Sequence, residues 1–189
     1  MVNIDENAEP VVAQLAAHVP HVIVTHPLAP RDNLALYRLF GGIFGAQRRA
    51  GRLCAQFEHV WAAATAVGAE LPRRTVLYLI WRDPWMTVRA DTYISGMLAL
   101  VGWDTLPAQS NDRYPAIALD ASLLATVDHV LLSTEPYRFR ARDVGFVRSR
   151  LPLNAGTRVH LVDGTMTSWY GNRAIHGIEY LVNMRRELG

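Results

Sequence analysis

Thr75-Val76-Leu77-Tyr78-Leu79-Ile80-Trp81 is the stretch that decides the fold. A strand with one face in water alternates polar and apolar residues; this one is apolar or β-prone throughout. That continuity describes a strand covered on both faces, as in a parallel sheet sandwiched between helices. Residues 22–26, 129–134 and 158–163 share the character and read as three more strands. Helical segments lie between them, as parallel crossovers require. Ile94, Met97, Leu98 and Val101 recur at i, i+3, i+4, i+7, opened by Asp91 as cap and closed by Gly102. Residues 120–127, 140–150 and 172–188 complete the set. The class is α/β, a mostly parallel sheet flanked by helices, with three strand-and-helix units after residue 73.

Upstream the character changes. Residues 32–44 read as one helix interrupted by Gly41, Gly42 and Gly45, and residues 47–67 as a second. At 1.5 Å per residue the second runs about 30 Å. Leu53, Cys54, Phe57, Val60, Trp61 and Ala64 form one apolar stripe along it, and Gly68 and Pro72 stop it. A helix of that length between two strand-bearing regions reads as a strut rather than a linker.

The 189 residues are half hydrophobic and 19% charged, with no Pro or Gly/Ser tract, which excludes disordered and collagen-like chains. No apolar run approaches the roughly 20 residues of a membrane span, and the acidic start Met1-Val2-Asn3-Ile4-Asp5-Glu6 does not read as an export signal. All 19 basic residues are arginine, against 17 acids. Arg138, Arg140, Arg142, Arg148 and Arg150 cluster, and a solvated helix face accounts for them better than a nucleic-acid surface. The single Cys54 excludes an internal disulfide and a Cys-based zinc site, and its place on a helical stripe assigns it to the core.

Ligands of open parallel sheets bind where loops converge at the carboxyl ends of the strands. Here those loops carry Arg82-Asp83-Pro84-Trp85-Met86, Glu135-Pro136-Tyr137, and Gly164 to Tyr170. Three of the five tryptophans, Trp81, Trp85 and Trp169, fall there. The pattern reads as a ligand wall made of rings, with Arg82, Glu135 and Arg173 as polar contacts. A plainer account of the same residues stays open: Trp81 and Trp169 plug the sheet edge, Asp83-Pro84 is turn chemistry, and Asp91 only caps a helix. Catalytic patterns are missing. His18, His21 and His26 have no helical i, i+4 pairing and no acidic partner at ligand spacing. Ser133 and Ser168 lie at strand ends without a nucleophile elbow, and Gly41-Gly42-x-x-Gly45 follows a helix rather than a strand. The expectation is a binder rather than an enzyme, with no metal and no cofactor.

The runs Leu79 to Val88, Asp91-Thr92-Tyr93-Ile94 and Leu98 to Trp103 resemble the second lobe of helical-backbone substrate-binding proteins of ABC importers, the cobalamin- and iron-siderophore-binding group. Arg113 to Asp120, Leu131 to Phe139 and Leu161 to Gly171 agree in order, and Val24-Thr25-His26-Pro27 matches the end of the first lobe. The resemblance implies two α/β lobes joined by a rigid helix, with the ligand held between them. On this chain it implies a remnant of the first lobe at 1–45, a backbone helix at 46–72 and the second lobe at 73–189. It also implies that Trp81, Trp85, Met86, Trp169 and Tyr170 line the cleft with Glu135, Tyr137 and Arg173 nearby. Asp120 falls where cobalamin binders carry an acidic residue that docks on the membrane permease.

The implied role is capture of a corrinoid or siderophore-like metal chelate, aromatic walls suiting porphyrins equally, and delivery to an ABC permease in a periplasmic setting. Two departures stand out. Arg89-Ala90 occupies the place where relatives often carry Gly-Gly. The chain begins near the first lobe's last units, so most of one cleft wall is expected to be absent and the uncovered apolar surface to favour self-association. The alternative is a cytosolic partner-binding or regulatory domain that uses the same lobe fold without transport.

Overall fold

A computed structural model describes residues 1–4 and 7–189; Asp5 and Glu6 of the acidic start lie outside the described residues. In chain order the elements are β1 (Val2–Asn3), α1 (Glu9–Ala16), β2 (Val24–Thr25), α2 (Asp32–Ile43), α3 (Gln47–Glu70), β3 (Arg74–Trp81), β4 (Met86–Thr87) and α4 (Tyr93–Leu100). They continue with β5 (Trp103–Thr105), α5 (Ala121–Leu124), β6 (His129–Ser133), α6 (Ala141–Arg150), β7 (Arg158–Val162), α7 (Gly164–Ser168) and α8 (Asn172–Leu188). The fold is α/β, with a mostly parallel sheet flanked by helices.

The decisive strand sits mid-sheet. β3 pairs in parallel with β6 from Val76↔His129 to Leu79↔Leu132, and β6 pairs in parallel with β7. Two short strands join β3 as well, β5 in parallel at Arg74–Val76 and β4 antiparallel at Leu79 and Trp81. Alternate residues of β3 feed two separate cores. Leu77 and Leu79 pack with Val130, Leu132, Phe139 and Val147 on one side. Val76, Tyr78 and Ile80 pack on the other with Phe57, Val60, Met97 and Ile178 from α3, α4 and α8. Both faces being covered is why β3 shows no polar alternation. Each fully buried aliphatic side chain contributes about 1.5–3 kcal/mol of transfer free energy.

The long helix α3 has 24 residues and runs past the expected stop at Gly68. Gly68 belongs inside the helix for a packing reason: a Cβ there would stand 2.5 Å from the Leu100 carbonyl oxygen, where the end of α4 crosses. The stop comes at Leu71, whose backbone is extended ahead of Pro72. Phe57, Val60 and Ala64 of the stripe are buried; Leu53, Cys54 and Trp61 are partly buried against the same core, with the Cys54 thiol 3.8 Å from the Leu34 carbonyl.

Other expectations are corrected by local contacts. Asp91 does not cap α4. Arg89 takes its carboxylate through two bonds of 2.6 Å, and Thr92 becomes the cap, its hydroxyl accepting from the Ser95 amide at 3.3 Å. The helix expected over 120–127 is the single turn of α5, capped by Asp120 Oδ1 on the Leu123 amide at 2.9 Å. The strand expected over 22–26 shortens to Val24–Thr25, because its one partner, β1, offers two residues. α1 buries no residue at all, and its Val11 is 61% exposed. No helix among the described residues is long and apolar enough to cross a membrane.

Candidate functional site

The carboxyl ends of β3, β6 and β7 lie side by side, so the loops leaving them meet at one end of the sheet. Trp81, the last residue of β3, is 40% exposed and meets Tyr137 edge-on, with ring centroids 5.5 Å apart. Tyr137 lies against Phe139 at 4.6 Å, and Phe139 stacks within 3° of parallel on Trp85 at 6.1 Å. Trp81, Tyr137, Phe139 and Trp85 therefore form an unbroken chain of rings spanning two loops. Phe139 is its buried member; the other three reach the surface.

The third loop joins through a polar contact. Trp169 is half exposed, and its indole N–H donates to Glu135 Oε2 at 2.8 Å. The Arg173 guanidinium lies over the same indole, 5.6 Å from its centre. Tyr170 packs edge-on against Tyr93 at 5.9 Å, and Met86 in β4 is partly buried beside the main core. Arg82, expected as a ligand contact, has its charge turned to Asp143, with Nη1 3.2 Å from Oδ1. Asp120 is exposed and spends one carboxylate oxygen on its cap.

Beneath the rings lies a buried hydroxyl network. The Tyr78 phenol on β3 donates to Ser133 Oγ at 2.9 Å and sits 2.5 Å from Thr167 Oγ1. Ser133 Oγ donates in turn to the Glu135 carbonyl at 2.6 Å. Burial pushes the Tyr78 pKa up to about 12, against the opposing pull of its two hydroxyl partners, so the phenol stays a neutral donor. Gly164 allows the close approach that makes this possible: a Cβ there would stand 2.6 Å from Ser133 Oγ and 2.8 Å from the Glu135 amide.

Residues of α2 complete the support, and sequence reasoning missed them. Fully buried Asn33 donates to the Tyr93 hydroxyl at 2.9 Å and accepts from the Gly171 amide at 2.6 Å. Tyr37 donates its hydroxyl to the Gly171 carbonyl at 2.7 Å. Burial raises the pKa of both phenols. An Asn in the first turn of an apolar helix is a weak local signal, since its partners lie 60 and 138 positions further along the chain.

The rings of the three loops gather into one wall at the carboxyl end of the sheet. Two hollows lie elsewhere, one of about 330 Å³ at the amino end of the sheet around Asp128 and Arg158, the other of about 390 Å³ between α3 and α8 around His59 and His176. Among the described residues no three His, Cys, Asp or Glu side chains are grouped as metal ligands would be. Indoles and phenols carry flat apolar faces with polar edges, so this wall suits a large planar ligand with a few polar substituents.

No protein-family model and no curated protein sequence matches the chain. Solved structures do. The periplasmic heme-binding protein RhuT from Roseiflexus sp. RS-1, in apo form, superposes with a TM-score of 0.79 at 18% identity, over 98% of this chain and 74% of that one. The periplasmic heme-binding protein BhuT in complex with two hemes gives 0.79 at 17%, over 99% and 73%. The periplasmic vitamin B12 binding protein BtuF of Vibrio cholerae gives 0.75 at 11%, over 99% and 73%. At such identities the likeness shows the fold, which is that of these periplasmic heme- and vitamin B12-binding proteins, and the chain spans about three-quarters of their length.

Proposed function

We propose that this chain is the solute-capturing component of an ABC importer, holding a corrinoid or a metal chelate such as a siderophore or heme against its ring-bearing face and passing it to a membrane permease. In this reading residues 1–45 belong to a first lobe, 46–72 form the backbone helix and 73–189 the second lobe. Trp81, Trp85, Met86, Trp169 and Tyr170 contact the ligand, with Glu135, Tyr137 and Arg173 at its polar edge. Asp120, charged and exposed, docks on the permease, where a rim charge governs encounter rate more than affinity. The setting is periplasmic and the protein performs no chemistry on its cargo.

One observation carries the reading: three loops from three adjacent strands bring half-exposed rings to one end of the sheet and tie them to each other. A large aromatic left in water forgoes burial that the core would have provided. The fold supports the same reading, since neighbours of this architecture include heme- and vitamin B12-binding proteins. The test is a native mass spectrum of freshly purified protein, followed by equilibrium dialysis against hemin and cyanocobalamin. The reading expects retained or saturable binding of one of them; failure to bind either, or any other metal chelate in a panel, overturns it.

A further inference from the structure

Arg82 follows directly on β3, and four groups meet its side chain, one of them the exposed Asp83 carboxylate with Oδ2 3.7 Å from Nε. The guanidinium carbon lies 5.5 Å from the centre of the Trp85 ring and 4.2 Å from that of Phe146 on α6. Nη1 meets Asp143 Oδ1 at 3.2 Å. Asp143 is 4% exposed, and its other oxygen accepts from the Arg140 amide at 2.8 Å, closing the first turn of α6. Each contact uses a different property of the side chain: a flat cation for the two rings, a directed N–H for the carboxylate. Trp85 is also stacked on buried Phe139.

We propose that Arg82 and Asp143 are positioning residues for Trp85: the pair holds the indole in place, so that the start of α6 sets the plane of the ring wall. Asp143 holds the helix start with one oxygen and the guanidinium with the other, and the guanidinium presses on the indole. Arg82 thus acts on a ligand through Trp85 rather than by touching it. The ligand arm of this proposal rests on the binding function proposed above; the positioning arm does not. A lysine cannot replace the arginine, since a compact ammonium offers no flat face to two rings at once.

The test uses the full chain labelled with 5-fluorotryptophan, its five fluorine resonances assigned by single Trp→Phe variants. Arg82→Lys and Asp143→Asn are expected to shift or broaden the Trp85 resonance while those of Trp61 and Trp103 stay in place, which also reports that the variants fold. In dialysis against hemin and cyanocobalamin, R82K is expected to weaken whichever binds by about tenfold, and to add little in a Trp85→Ala background. An unmoved Trp85 resonance, or losses from R82K and W85A that simply multiply, overturns the proposal. If the parent binds neither these probes nor any other metal chelate in the panel, the transport reading fails while the resonances still decide the positioning role.

Discussion

Trp169 is left half in water although burying an aromatic of its size would contribute about 2 kcal/mol or more, and it is nonetheless held in place by Glu135 and Arg173. An exposed ring that is also fixed is the form an aromatic hot spot takes. Trp85→Ala and Trp169→Ala are therefore each expected to weaken binding of the bound chelate by about 2 kcal/mol or more, read as a shift in Kd by dialysis. Affinities equal to the parent in both variants would remove these residues from the wall. Histidine supplies the prediction for pH. His129 Nδ1 lies 3.2 Å from His160 Nε2 on the neighbouring strand, with Arg148 and Arg158 close by. Burial, then the neighbouring positive charges, lowers the His129 pKa to about 4 and lowers that of His160 as well. An unfolded histidine titrates near pH 6.5, so between about 6.5 and 4 the unfolded chain binds more protons than the folded one. Stability is therefore full above pH 6.5 and is lost as pH falls through that window, by about 1 kcal/mol at pH 5 once solvent screening is allowed for. Thermal melts at pH 7 and pH 5 check this, and His129→Gln is expected to flatten the difference.

At the scale of elements, the strut helix α3 is anchored by Phe57, fully buried and flanked by Tyr37 at 6.2 Å and Trp61 at 5.8 Å. Phe57→Ala is expected to cost about 3–5 kcal/mol in chemical denaturation, because the ring is fully buried in the main core with Tyr37 and Trp61 packed on it. A loss under about 1 kcal/mol would show that the helix is not held there. The elements most legible in sequence were those whose signals are local. The apolar run of β3, the stripe of α3 and the span of α8 over residues 172–188 each follow from composition and period. The two- and three-residue strands β1, β4 and β5 escaped because a bridge that short is made by its partner rather than by its own residues. The same reason separates the site residues. Rings at strand ends could be read from the chain, whereas the Asn33–Gly171 tie and the Arg82–Asp143 pair join residues 138 and 61 positions apart. Arg82 was legible as a site residue but not as one facing α6, since spacing alone gives no hint of Asp143.

For the whole molecule, two regions differ sharply in how well they are packed. The central strands β3 and β6 are closed over on both faces, while β1 and β2 form an isolated pair of two-residue strands with α1 lying open beside them. Val11, Leu15 and Val24 are all exposed there. A two-stranded sheet is marginal by itself, and exposed apolar residues next to unpaired strand edges invite another chain. Concentration-dependent self-association is the expected outcome in light scattering, reduced by the double variant Val11→Glu/Leu15→Glu; a constant monomer mass across concentrations would contradict it. Cargo is held, on the proposed function, at the ring-bearing end of the sheet. Tryptophan fluorescence titrated with hemin and with cyanocobalamin tests that most directly, comparing the parent with the triple variant Trp81→Phe/Trp85→Phe/Trp169→Phe. Saturable quenching of the parent by one of the two is expected, with binding at least about tenfold weaker in the triple variant; undiminished affinity in that variant would contradict a ring-held cargo.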